Sequence, residues 1–189
     1  MRLKGTTNFF VYIVLLITII SCVKDVDFNQ GQNLSLDPEI AASLVYLEVE
    51  ASQFSENGIE QQIVRDSISN IEIFEAQFIE DNLVKAEMVF ETTNSINRSF
   101  NLQVEFLSTE NELQQLISFN VLQSSSGNPI LTEFIEVFED DSLEALKSIT
   151  KMVITLTLNP STDGSMLNEN SIGEIALKSK GLFYFNINL

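Results

Sequence analysis

Phe100-Asn101-Leu102-Gln103-Val104-Glu105-Phe106 alternates apolar and polar side chains without a break. A period of two puts Phe100, Leu102, Val104 and Phe106 on one face of a strand and Asn101, Gln103 and Glu105 on the other, which is the pattern of a half-buried β-strand. After a polar break at residues 109–115, Ile117, Phe119 and Val121 resume the alternation, so the two segments predict an antiparallel hairpin. Upstream, Val45, Leu47, Val49 and Ala51 alternate with Tyr46, Glu48 and Glu50, and Val84, Ala86, Met88 and Phe90 alternate with Lys85, Glu87 and Glu91. Downstream, residues 130–138 and 152–158 read as strands from their β-branched and aromatic content. The run 173–189 alternates at Phe183, Phe185 and Ile187, with Gly181 marking a kink. Residues 71–79 change phase between Ile73 and Phe74 and predict a bulged strand, or one buried on both faces, that turns back at Glu80-Asp81-Asn82.

One segment reads as a helix. Asp141 can cap it with Glu144 as reciprocal partner, Leu143, Leu146 and Ile149 share a face, and Lys147 and Lys151 suit its negative end. The polar stretch 159–171, with Pro160 and Asp163-Gly164, is a long loop. About eight strands with turn signals roughly every ten residues and one short helix give an all-β chain, an antiparallel β-sandwich. Period alone leaves an immunoglobulin-like and a jelly-roll topology equally open.

Composition narrows the function. The 189 residues include 27 Asp+Glu against 10 Lys+Arg, no His, no Trp and one Cys, and 44% are hydrophobic, enough for a core without disulfides or a structural metal. A net charge of −17 opposes nucleic-acid binding, which needs clustered cations on phosphates. Zinc lacks a His/Cys ligand set, and catalysis by a histidine base is excluded. Carboxylate chemistry remains, and Glu133, Glu136, Glu139, Asp140 and Asp141 form the densest acidic cluster. Glu139-Asp140-Asp141 falls at the helix start, where capping accounts for acidic residues. Calcium needs only about six to eight oxygens, so Glu139, Asp140 and Asp141 are its weak candidates, against a solvated acidic surface; no other cofactor is expected. An aromatic sugar platform lacks material, since Trp is absent and Tyr46 and Tyr184 are the only tyrosines after Tyr12.

The N-terminus carries the localisation. Met1-Arg2-Leu3-Lys4 is a basic head before the 12-residue apolar run Phe9–Ile20. That length lies within the roughly 7–15 residues of a signal-peptide core and short of the ~20 needed to span a bilayer; an uncleaved anchor is the competing reading. The run ends at Ile19-Ile20-Ser21-Cys22, which resembles the lipobox of bacterial lipoproteins. The resemblance covers the first 22 residues and implies cleavage after Ser21 and acylation of Cys22 with chains such as palmitate. Two or three chains hold a protein on a membrane, because each buried methylene contributes about 0.8 kcal/mol. Lys24, Asp25 and Asp27 follow, in a stretch similar to the export signal of Bacteroidetes-type surface lipoproteins, which implies an outer-membrane, cell-surface location; a solvated tether is the alternative. Asp66-Ser67-Ile68 and Asp141-Ser142-Leu143 resemble the Bacteroidetes-type O-glycosylation acceptor, and Ser67 is the candidate because Ser142 lies at the helix start.

The expected organisation is a signal peptide over 1–21, a lipidated N-terminus and tether over 22–37, and a sandwich domain over 38–189. Removing 21 of the 189 residues leaves 168 and takes away Arg2 and Lys4 but no acid, which moves the charge from −17 to −19. The expected function is a membrane-attached, non-catalytic binding or structural module with an unidentified envelope-protein or glycan partner. The alternatives are a carboxylate-dependent glycan hydrolase, with two acids converging in a cleft, and an accessory subunit of an outer-membrane complex, with an exposed apolar patch or free edge strand.

Overall fold

The computed structural model of the chain describes residues 35–69, 71, 74 and 76–188. The chain divides into two units, Leu36–Ile187 and a second formed by Met1–Ser35 with Asn188–Leu189. Of the second, only Ser35 and Asn188 are among the described residues.

Eight principal strands build the first unit: β1 (Glu39–Glu50), β2 (Ile63–Ser69), β3 (Leu83–Asn94), β4 (Phe100–Leu107), β5 (Leu113–Val121), β6 (Ile130–Phe138), β7 (Lys151–Leu158) and β8 (Glu174–Phe185). They form two four-stranded antiparallel sheets, ordered β1-β8-β3-β6 and β2-β7-β4-β5. The pairing rule is simple: first with eighth, second with seventh, third with sixth, fourth with fifth. Contacts of β8 with β3 and of β7 with β4 complete the sheets. A long hairpin rolled on itself gives this wiring, so the topology is a jelly roll. Among the described residues, β4 and β5 are the only principal strands paired with a sequence neighbour, whereas an immunoglobulin sandwich pairs neighbours repeatedly.

The hairpin expected from the opening stretch is β4–β5. Asn111 turns it with φ 62°, a left-handed conformation that Asn tolerates well, and the Ser108 N–H donates to Glu112 O at 2.9 Å. The inward residues Phe100, Leu102, Val104 and Phe106 are fully buried. Aromatic pairs knit the two sheets, Phe106 meeting Phe138 edge-on at 6.1 Å and Phe119 stacking on Phe134 at 4.9 Å, while Phe54, in the helical turn after β1, meets Phe100 at 5.1 Å. Such pairs each contribute roughly 0.5–1.5 kcal/mol beyond the area they bury.

Four expectations change. Residues 77–82 are a helix, α1 (Gln77–Asn82), not the end of a bulged strand. Gln77 donates to Asp81 and Asn82 to the Phe78 carbonyl across i,i+4 spacings, and the Phe78 ring lies 5.3 Å from Phe185, so local pairing and one aromatic contact select a helical turn there. The expected helix is α2 (Asp140–Lys147), with Leu143, Leu146 and Ile149 buried, but its N-cap is Glu139 rather than Asp141. The Glu139 N–H donates to Ser142 Oγ at 2.9 Å and the Ser142 hydroxyl donates back to Glu139 O at 2.7 Å. Ser142 thus takes the partner role assigned to Glu144. The strand β2 adds an element, an edge strand whose residues are all exposed or half-buried.

No register shift falls at Gly181 itself. The register shift lies earlier, between Ser179 and Lys180 opposite Leu44 of β1. What Gly181 supplies is space: a Cβ there would stand 2.5 Å from the Phe183 ring, which lies over the bare backbone and meets Phe74 at 5.9 Å.

Candidate functional site

Cys22, Ser21, Lys24, Asp25 and Asp27 lie outside the described residues. Ser67 stands exposed on the edge strand β2, with its N–H donated to Asp66 Oδ1 at 2.7 Å. Its backbone partner across the sheet is Val153.

The acidic cluster over 133–141 does not converge. Strand alternation points Glu133 outward and Glu136 inward, where Glu136 accepts from Gln115 Nε2 at 2.9 Å. Glu139 caps α2 and lies 3.6 Å from Lys85 Nζ. Asp140 and Asp141 are exposed in the first turn. Among the described residues, no group of three His, Cys, Asp or Glu side chains could hold a metal ion. In the long loop, Asp163 Oδ1 accepts from the Ser161 hydroxyl at 2.5 Å, the Ser165 hydroxyl at 2.6 Å and the Ser165 N–H at 2.9 Å. These bonds, the Ser161 hydroxyl first, hold its carboxyl far below the usual carboxylate range.

Two open clefts, each of about 300 Å³, flank the sandwich. In one, Arg98 is 5% exposed and its guanidinium is occupied: Nε and Nη2 donate to Asn159 O, and Nη1 donates to Glu60 Oε1 at 2.9 Å and to Ser165 O at 3.0 Å. Glu60 Oε1 also accepts the Leu167 N–H at 2.7 Å. This buried pair fastens the loop after β7 to the turn between β3 and β4. Nothing periodic in the sequence marks either residue; a lone Arg in a polar turn, Asn97-Arg98-Ser99, was the available signal. In the other cleft Lys147 donates to Glu144 Oε1 at 2.9 Å and to the Glu80 carbonyl at 3.1 Å. A third cavity, of about 40 Å³, is apolar and lined by residues such as Leu44, Phe74, Met88 and Met152.

The outer sheet faces differ from each other. The strands of β1-β8-β3-β6 carry eight acidic and three basic residues, and both Tyr46 and Tyr184 lie on this sheet. The Lys178 ammonium stands 6.0 Å from the Tyr46 ring and that of Lys85 5.2 Å from the Tyr184 ring, while the Tyr46 hydroxyl donates to Glu48. Tyr184 is six residues beyond Lys178 on β8, so the tyrosines sit roughly 20 Å apart at about 3.3 Å per residue, too far to flank one ring. The strands of β2-β7-β4-β5 carry two acids and two bases. Register places Arg65, Thr155, Gln103 and Ser118 side by side in one outward row, and Ile63, Thr157, Asn101 and Asn120 in the next. Arg65 reaches back to Glu105 at 2.6 Å.

Exposed aliphatic side chains gather on the two edge strands that close one side of the sandwich. Leu113 and Leu116 of β5, and Leu131, Ile135 and Val137 of β6, are each between 46% and 59% exposed. Both strands are sheet edges, and the exposed Leu116 lies on the outer face of one sheet while Leu131, Ile135 and Val137 lie on that of the other.

No protein-family model matches the chain, and no curated protein does. Solved structures are similar to the chain at a distance. A protein classed as secreted from Parabacteroides distasonis ATCC 8503 is 17% identical, with 62% of this chain and 36% of that chain covered at a TM-score of 0.46. The VP2 subviral particle of infectious bursal disease virus is 11% identical over 80% of this chain and 37% of that one, with a TM-score of 0.39. The enzymatically active domain of tailspike protein 4 from bacteriophage CBA120 is 9% identical over 84% and 20%, at 0.34. The chain spans a little over a third of the length of the first of these. Among the described residues, no helix is long and apolar enough to cross a membrane.

Proposed function

We propose that this protein is a lipid-anchored module of the bacterial cell envelope, attached to the outer membrane through Cys22, whose jelly-roll domain binds a partner rather than transforming a substrate. The observation that carries the reading is where the polar and acidic groups of the domain sit. Many are laid out in rows on open sheet faces, while in the clefts Arg98 engages the Glu60 carboxylate and Lys147 that of Glu144; Glu80, which also lines the second cleft, meets Lys147 through its backbone carbonyl. A hydrolase of the carboxylate type needs two acids facing each other across a cleft, and the densest acidic segment is instead divided between two strand faces and a helix cap. The exposed aliphatic edges at β5 and β6 support a place beside other envelope proteins.

Anchoring has a direct genetic test. The Cys22→Ala protein loses its acylation site, so cell fractionation finds it either as unprocessed precursor or in the soluble fraction, while the native protein stays with the membranes. A variant processed at Ser21 and retained on membranes as before would overturn the proposal.

A further inference from the structure

We propose that the outer face of the β2-β7-β4-β5 sheet is a binding surface for a neutral polysaccharide chain. The inference rests on the binding-module reading above and names its ligand class. Six outward side chains from three strands, Asn101, Gln103, Ser118, Asn120, Thr155 and Thr157, supply amides and hydroxyls at the β7, β4 and β5 positions of two adjacent rows, whose β2 positions are Arg65 and Ile63. Strands about 4.8 Å apart and a two-residue repeat of about 6.7 Å make this a patch roughly 10 by 7 Å, comparable to two linked pyranose rings. Asn101 and Ser118 bond to each other at 3.1 Å.

The charge pattern selects the ligand. On a chain of net charge −17, these two rows contain one charged residue, Arg65 at the margin, and Glu105 of the neighbouring row neutralises it. Nucleic acids and acidic polysaccharides are repelled by the whole molecule without finding local cations. A cationic partner has a better surface on the opposite sheet, where acids outnumber bases even without the inward Glu136. Protein interfaces are centred on desolvated aromatic or aliphatic anchors, and the six residues supply none; the exposed aliphatic side chain of these rows, Ile63, stands at their margin on the edge strand. Amides and hydroxyls both donate and accept, which matches the mixed donor and acceptor character of sugar hydroxyls.

Native gel electrophoresis of the full chain in neutral detergent tests this, with gels containing galactomannan, yeast mannan, pullulan or laminarin, and polygalacturonate as the charged comparison. The expected result is retardation in at least one neutral gel that persists in 0.5 M NaCl. The near-isosteric pair Gln103→Glu with Asn120→Asp, which puts charge into the patch, weakens it at least tenfold; Gln103→Ala with Asn120→Ala does the same if the charged pair fails to fold. Lys178→Ala, on the other sheet, leaves it within twofold. Unchanged migration in every neutral gel, retardation by polygalacturonate alone, or full binding by folded patch variants would overturn the assignment. Failure in the gels together with membrane release of Cys22→Ala removes the glycan assignment and leaves the anchored module standing. Retardation by a protein whose anchoring does not depend on Cys22 leaves the face and removes the anchor.

Discussion

Arg98→Ala destabilises the domain by about 3–5 kcal/mol, the range for removing one partner of a buried ion pair. Arg98 is 5% exposed and the Glu60 side chain 14%, so truncation leaves a carboxylate largely cut off from water, together with the carbonyls of Asn159 and Ser165 that lose their donor. The Leu167 N–H that Glu60 accepts does not replace a full positive charge. Denaturant unfolding of the variant against the native protein reads the loss. Replacing both partners by apolar groups, Arg98→Met with Glu60→Leu, recovers a substantial part of it, because no uncompensated charge then remains buried. A loss below about 1 kcal/mol for Arg98→Ala, the size of an exposed pair, would mean that the loop after β7 is not held by this pair.

Phe106→Ala costs about 3–5 kcal/mol, while Gln103→Ala on the same strand changes stability by no more than about 0.5 kcal/mol. The contrast follows from the alternation. Phe106 is fully buried and packs on Phe138 from the facing sheet, so its removal opens a cavity between layers that cannot close without moving both. Gln103 is an outward residue of the same strand, half-buried among its neighbours. For a domain of this size each kcal/mol shifts the melting temperature by about 2–4 °C, so the two variants separate clearly in a thermal scan. Equal shifts would mean that the period of two is misassigned in the strand on which the fold is read.

Strands buried on one face declare themselves in the sequence, because each apolar side chain answers to the same core. That is why β4, β5 and the inner half of β1 are readable from Phe100, Ile117 and Val45 onward. The edge strand β2 is not: its inward phase runs Val64, Asp66, Ile68, and an edge position lets Asp66 reach water, so the alternation is broken where the structure tolerates it. The α1 helix was hidden for another reason. Phe74 and Phe78 satisfy a strand and a helix equally well over so short a run, and the choice is made by the i,i+4 hydrogen bonds and by Phe185, more than a hundred residues away. Jelly-roll and immunoglobulin wiring share the same strands, and only the pairing of β1 with β8 and β2 with β7 tells them apart.

The candidate surfaces were legible to different degrees. Cys22 is marked by its place at the end of an apolar run, a local pattern that needs no fold. The polar patch of the second sheet has no such mark, since Gln103, Ser118 and Thr155 become neighbours only when three strands are in register. The acidic cluster shows the reverse. Glu133, Glu136, Glu139, Asp140 and Asp141 are close in sequence, and the strand pleat and the helix cap then direct them apart.

Anchoring through Cys22 is the claim on which the proposed function depends, and the mass of the mature N-terminal peptide tests it most directly. Protein purified from membranes and digested with trypsin is expected to yield a first peptide that begins at Cys22 and carries a diacylglyceryl group on its sulfur. A first peptide that begins at Met1 or at any residue other than Cys22, or a Cys22 recovered as a free thiol from membrane-bound protein, would contradict it.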